Sequence, residues 1–445
     1  MLPPGATDAT RGAGPFQASI LPGILFALAL VFLTIRLEVP PRYIFDEVYH
    51  AYTAGQYVAG NHDAYVWDTT APRKDTAYTW NHPPAGVLMI AGGILLWGDT
   101  PYGWRFASAV FGAVGIVVFY VLALRITRKR SVAALAAGLL LTDGLYVVQS
   151  RTGMLDIFGT VFMMGAFLSL YDYLTAPPER VRGPLLRTGA LLGLAIATKW
   201  NAAYPAAFIG LVTLIRAALL WRASRTPGAL PATAAGLRAH LVWIPLALGA
   251  LPVAVYLAAY IPFFWTGHDL SKFVELQKQT LYYHTHLTAT HNYQSRWWQW
   301  PLTLRPVWYH VLNDENGVAN IYANGNPILY WAFIPSVLAV LYLWIRRQEP
   351  AWVVLAIGFF GQWLPWALVP RIAFAYHFLP AATFGTFAVA VVLYELASRG
   401  GAARVVAGAY LAAIVAAFVF FYPIYTAIPL TRAGFEHRMW IESWR

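Results

Sequence analysis

Cysteine is missing from this chain altogether, which excludes disulfides and thiolate metal sites and leaves the redox compartment open. Charge is scarce too: Asp, Glu, Lys and Arg make up 11% of the 445 residues, where a soluble domain carries about 25%. No P-loop, dinucleotide-binding glycine run or GxSxG elbow stands in a fitting context, so nucleotide binding and acyl transfer find no support. No repeat of about 20–50 residues is visible, which excludes solenoids. Nor is there the inverted symmetry common among transporters.

What is present is apolar. Hydrophobic types reach 59% and the mean hydropathy is +0.52, placing the chain among polytopic membrane proteins. Aromatics make up 16%, with 19 tryptophans, as suits many water–lipid boundaries. A run of about 20 apolar residues can cross a bilayer. About eleven such runs are expected, near 19–36, 102–124, 131–149, 155–174, 187–201, 203–221, 240–263, 327–345, 351–368, 372–397 and 404–425. Tyr204-Pro205 breaks an almost continuous stretch, and merging its two halves would invert everything after it.

The basic residues arbitrate. Arg125, Arg128, Lys129 and Arg130, then Arg180, Arg182 and Arg187, then Arg222, Arg225 and Arg238, then Arg346-Arg347 and Arg399/Arg404 follow successive runs. They share one side only if 187–221 forms two helices, and the positive-inside rule makes that side cytoplasmic. The net charge of +11 therefore reads as topology and attraction to lipid headgroups, not nucleic acid. Residues 1–18 are expected to be a flexible tail, 19–425 one all-α integral membrane unit of about eleven spans, and 426–445 an external tail. Two long external loops, 37–101 and 264–326, are structured and carry short interfacial helices.

Two carboxylates stand side by side at Asp46-Glu47, at the mouth of the first run. Desolvating either is costly, and a general base at a membrane surface is one reason to keep them. Burial beside a second carboxylate would raise one pKa into the useful range. The alternative is a solvated interfacial turn with Arg42 as partner, and the residues alone leave the two open. His82 precedes two prolines that stiffen a turn; taken alone it reads as a hydrogen-bonded structural residue. Arg105, at an external helix start, opposes the helix dipole unless an anion compensates, and phosphate suits its planar fork. Arg151 and Asp156 either pair across a helix junction or bind phosphate and a sugar hydroxyl or metal. Lys199 either snorkels or adds a phosphate contact. His284, His286 and His291 lack the acidic partner of a zinc site, so metal ligation is not expected. Trp297, Trp298 and Trp300 before Pro301 suit an interfacial anchor or a stacking platform.

Taken in order, these pieces resemble the protein O-mannosyltransferases of the GT-C superfamily in their compact bacterial form. The matching residues are Phe45-Asp46-Glu47, His82-Pro83-Pro84, Arg105-Phe106, Ser150-Arg151 with Leu155-Asp156, and Thr198-Lys199-Trp200. Tyr283-His284 to Leu287, Ala289-Thr290-His291, Ser295-Arg296-Trp297 with Trp300-Pro301, and Gly325-Asn326-Pro327 complete the set. The likeness runs over residues 20–430; each motif is weak alone and the ordered set is specific. Three departures stand out. Val87 follows Ala85-Gly86 where eukaryotic members often carry Lys, no β-trefoil interrupts the loop 264–326, and Asn292 stands where Pro is usual.

The resemblance implies a GT-C glycosyltransferase fold. It implies a polyprenyl-phosphate mannose donor entering laterally, and transfer with inversion to Ser or Thr hydroxyls of exported polypeptides. Asp46 would be the base with Glu47 beside it. Arg105, Arg151, Lys199 and Arg296 would meet the donor phosphate. His82, Asp156, His284, His291, Trp297 and Asn326 would meet sugar and acceptor. No cofactor is firmly implied, and a divalent cation is left open. Partners besides donor and acceptor would be membrane lipid and the protein export machinery. The enzyme would be a multi-pass plasma-membrane protein with its active site outside. The nearest alternative is a related enzyme glycosylating a lipid or cell-wall glycan. A transporter would instead put ionisable residues near mid-span, and a structural membrane protein leaves the paired acids and external arginines unexplained.

Overall fold

A computed structural model describes residues 15–227, 230–315 and 317–445, with backbone alone for 15–19. The expected N-terminal tail therefore falls largely outside the described residues. The helices, in order, are α1 (Pro15–Thr34), α2 (His50–Val58), α3 (Ala85–Trp97), α4 (Pro101–Thr127), α5 (Arg130–Leu141), α6 (Gly144–Gln149) and α7 (Asp156–Thr175). They continue with α8 (Arg182–Thr198), α9 (Ala203–Ser224), α10 (Pro231–Ile244), α11 (Leu251–Ala259), α12 (Ile261–Trp265) and α13 (Leu270–His286). After a β-containing stretch come α14 (Pro327–Tyr330), α15 (Phe333–Arg346), α16 (Ala351–Ala356), α17 (Leu379–Ser398), α18 (Gly401–Thr426) and α19 (Arg432–Glu436).

Every expected apolar run coincides with helical structure. Among the described residues eight helices are long and apolar enough to cross a membrane, and Ile20–Thr34, Ala85–Trp97 and Arg130–Leu141 are shorter apolar helices. The stretch 187–221 is two rods. Lys199 leaves helical geometry (φ −159, ψ 132), a tight turn covers Trp200–Ala202, and α9 begins at Ala203. With no hydrophobic drive between helices in lipid, close backbone approach does the packing. A Cβ added to Gly189 of α8 would lie 1.6 Å from the carbonyl oxygen of Ala247, in the segment that joins α10 to α11.

Four rods carry the molecule from one polar end to the other. Arg125, near the last turn of α4, pairs with Asp172 near the end of α7 at 2.8 Å, and Arg187 of α8 reaches the same carboxylate at 3.0 Å. Lys129 pairs with Glu395 of α17 at 3.3 Å. The basic clusters therefore gather at one end. The first turn of α4 holds Arg105, some 20 residues and about 30 Å away at 1.5 Å per residue. Asp156 starts α7, Lys199 follows α8, and His377 precedes α17. The chemistry-bearing residues share that opposite end.

Other features depart from expectation. The molecule is not purely α: the loop 264–326 contains two small antiparallel ladders, β1 (Val307–His310) with β4 (Ile321–Ala323) and β2 (Asn313–Asp314) with β3 (Gly317–Val318). The run 131–149 breaks at Thr142-Asp143, where the Asp143 side chain caps α6 by accepting the Leu145 N–H. The run at 372–397 starts as an extended segment and a 3-10 turn, Ala375–Phe378. The final segment is built in: Trp444 is buried, and its indole N–H donates to the Thr303 carbonyl.

Candidate active site

A 3-10 turn at Phe45–Val48 presents the paired acids. It starts at Phe45, whose φ of 44 is left-handed, a conformation that costs a bulky residue about 1–3 kcal/mol. Stacking of the Phe45 ring on Tyr309, with centroids 4.5 Å apart and planes 8° from parallel, packs against that turn. Consecutive residues of so tight a turn face different ways, and the two acids meet different fates.

Glu47 is fully buried and fully engaged. Arg105 Nε and Nη2 grip its two oxygens at 2.7 and 2.8 Å, and it also accepts the backbone N–H groups of Ile44 and Gly153 at 3.0 and 2.8 Å. The anion that compensates Arg105 against the helix dipole is thus Glu47, not phosphate and not through Arg42. The remaining donors of Arg105 go to the carbonyls of Leu37, Pro40 and Arg42, so its five N–H groups are all in use. The phosphate contact expected of Arg105 is therefore not available in this arrangement. Arg151 donates to the carbonyls of Leu33 and Arg36 at the end of α1. It neither pairs with Asp156 nor lines either cavity described below.

Asp46 lines a cavity of about 500 Å³ together with Tyr49, His50, Trp80, His82, Tyr283 and His291. Among the described residues no hydrogen bond reaches its carboxylate. Desolvation raises its pKa to about 7; the Lys199 ammonium pulls it down and Asp156 pushes it up. The second carboxylate that acts on Asp46 is Asp156, not its neighbour Glu47. Lys199 itself is nearly buried and holds both oxygens of Asp156, at 2.8 and 3.1 Å.

His50 and His82 line this cavity, and His284 packs against His82 outside the lining. His50 bonds Thr79 at 2.9 Å, His82 lies 6.0 Å from His50 and 5.4 Å from His284 between ring centroids, and the Nδ1 of His82 is buried without a partner. Burial drives His50 down to about 3 and His284 to about 4, and takes His82 well below its ordinary range; Lys199 adds to each. All three are neutral. His284 Nε2 lies 2.7 Å from the Asn81 carbonyl, so it carries the proton and Nδ1 offers a lone pair. Arg371 Nη1 fills that lone pair at 2.8 Å.

A second, larger cavity of about 1030 Å³ lies alongside, lined by Arg296, Trp297, Gln299, Trp366 and residues 285–290. Leu287, Arg371 and Ile372 line both cavities, so they form the wall between them. The structure thus brings Asp46, His82 and His291 to one cavity, Arg296 and Trp297 to the next, and Asp156 with Lys199 beside the first, while His284 stands behind the lining on Asn81 and Arg371. Asn326 is elsewhere: it is buried, with its amide tied to the carbonyls of Thr142 and Ile414, so the sugar or acceptor contact expected of it is replaced by a helix-joining role. Sequence reasoning overlooked two residues that line the first cavity, Arg371 and Tyr376, the latter with its ring 5.1 Å from the Lys199 ammonium. Arg371 follows Pro370 just before an expected span, against the charge bias, and that was the available signal. Among the described residues no three His, Asp or Glu side chains are grouped to hold a metal ion.

This helical membrane domain, with its polar side chains gathered at one end, has the GT-C fold, which solved structures share. One is the Saccharomyces cerevisiae protein O-mannosyltransferase Pmt1-Pmt2 complex bound to the sugar donor, with TM-score 0.76, 16% identity, and 95% of this chain and 92% of that one covered. Another is ArnT from Cupriavidus metallidurans bound to undecaprenyl phosphate, with TM-score 0.56, 20% identity, and 90% and 69% covered. The model of the dolichyl-phosphate-mannose-protein mannosyltransferase family matches residues 23–268, and that of the C-terminal four-helix membrane region of protein-O-mannosyltransferase matches 269–444. The chain belongs to this protein O-mannosyltransferase family. Relatives named polyprenol-phosphate-mannose–protein mannosyltransferase include one from Mycolicibacterium smegmatis (strain MKD8), 27% identical with 100% of this chain and 97% of the relative covered. Another, from Mycobacterium tuberculosis (strain H37Rv), is 28% identical over 100% and 96%.

Proposed function

We propose that this protein moves mannose from polyprenyl-phosphate mannose to a Ser or Thr hydroxyl of a polypeptide, with inversion at the anomeric carbon. The observation that carries the mechanism is Asp46: a desolvated carboxylate with no protein partner among the described residues, in a cavity that shares a wall with an arginine-lined one. Asp46 takes the hydroxyl proton as general base, the hydroxyl oxygen bonds to the anomeric carbon, and the bond from that carbon to the phosphate oxygen breaks. The electron pair leaves on polyprenyl phosphate, which Arg296 and Arg371 hold, with Lys199 nearby. No strong acid is needed, because the leaving group is already a phosphate. His82, whose Nδ1 lacks a partner, and His291 meet sugar or acceptor. Leu364 and Leu368 flank the lining of the larger cavity and are exposed, which suits lateral entry of a prenyl chain. Residues 19–425 act as one membrane unit, with 37–101, 264–326 and 426–445 outside. The basic end lies in the cytoplasm, the active site faces the exterior of the plasma membrane, and the acceptor arrives unfolded from the export machinery.

The test uses membranes containing the protein, radiolabelled polyprenyl-phosphate mannose and a Ser/Thr-rich peptide. Label on peptide supports the proposal. Label on lipid or glycan alone moves the enzyme to the related class, and no transfer to any acceptor rejects it.

A further inference from the structure

Arg105, Arg151 and Arg371, all at the end of the molecule that holds the site, are held in different ways. Arg105 is neutralised by Glu47 and saturated by carbonyls, and Arg151 is anchored to the end of α1. Arg371 sits on the wall common to both cavities, and the contact that orients it is the lone pair of an uncharged imidazole. That imidazole is fixed in turn: α13 carries it, and its other nitrogen donates to Asn81. A carboxylate in the same place would hold the guanidinium as firmly but cancel its charge. A neutral acceptor holds it and leaves the charge, and most of its N–H fork, for an incoming anion.

We infer that His284 is a positioning residue that aims Arg371 at the donor phosphate without neutralising it, rather than a sugar or acceptor ligand. This rests on the mannosyl-transfer reading above and adds to it which residue sets the donor affinity. The bond chain runs Asn81 carbonyl, His284, Arg371, phosphate. The donor phosphate thereby sits at the boundary between the cavities, with its sugar toward Asp46.

The experiment compares His284→Gln with His284→Glu in the full-length protein in nanodiscs, measuring donor KM, kcat and binding of unlabelled polyprenyl phosphate. Gln keeps one acceptor and one donor and stays neutral; Glu keeps the acceptor and adds the opposing charge. His284→Gln should hold the donor KM within about threefold of wild type, and His284→Glu should raise it about tenfold or more with kcat at saturation little changed. In an Arg371→Ala background, His284→Glu should add nothing further. A purely structural role predicts that Glu, which makes the stronger pair, does as well as Gln; that result overturns the inference. Should the His284→Glu protein not fold, His284→Leu must still raise the donor KM about tenfold, and an unchanged KM overturns it equally. Wild-type protein that neither binds polyprenyl phosphate nor transfers sugar would remove the underlying function. Wild-type binding matched by both variants would remove only the role of His284.

Discussion

Adjacent residues of one turn do opposite work. Asp46 is left open and Glu47 is closed off on four sides, and a sequence cannot announce that division, because the partner of Glu47 lies 58 positions away. The presence of an acid pair worth explaining was legible; its geometry was not. Replacing Asp46 with Asn should lower kcat by about 10²–10⁴-fold while donor binding persists, as single-turnover and binding assays would show. Since burial lifts Asp46 to about 7, the proposed base is protonated below that pH. The rate should rise through pH 7, the ionised form being the active one. Lys199 lowers the Asp46 pKa, so Lys199→Gln should move the acid limb of the pH–rate profile to higher pH; a limb that stays put means another group titrates. Glu47→Gln leaves the Arg105 charge buried and unpaired. It should cost about 3–5 kcal/mol, read as a lower unfolding temperature in detergent whatever its effect on rate.

At the scale of elements, apolar run length made the rods readable, and the basic clusters correctly divided 187–221 in two, although the break falls at Lys199–Ala202 and not at Tyr204-Pro205, which lies inside α9. What periodicity could not supply was local: the break capped by Asp143, the ladders between Val307 and Ala323, and the extended stretch that exposes Arg371 just before α17. Each depends on a partner distant in sequence or on a turn too short to show a period. Asp156 and Lys199, singled out from the sequence, stand at helix junctions, where an ion has a reason to be noticed. Asn326, also at a helix start, shows the limit of that signal: its amide joins helices.

At the scale of the whole molecule, four rods separate a basic end from the end that holds the proposed site. Because the chain has no cysteine, single Cys substitutions at exposed Thr70 and Thr226 give a clean orientation test in intact cells. A membrane-impermeant maleimide should label the first and spare the second; the reverse pattern would turn the active site inward. A further expectation comes from the periphery. The rod through α10 and α11 is almost wholly uncovered by protein, and α9 is mostly so. Yet α9 emerges, after one turn, from Lys199. A bilayer whose thickness does not match α9 will tilt it, and the tilt is delivered directly to the ammonium that tunes Asp46. Turnover in nanodiscs should accordingly peak at one acyl-chain length and fall on either side, making lipid thickness a control on the chemistry itself.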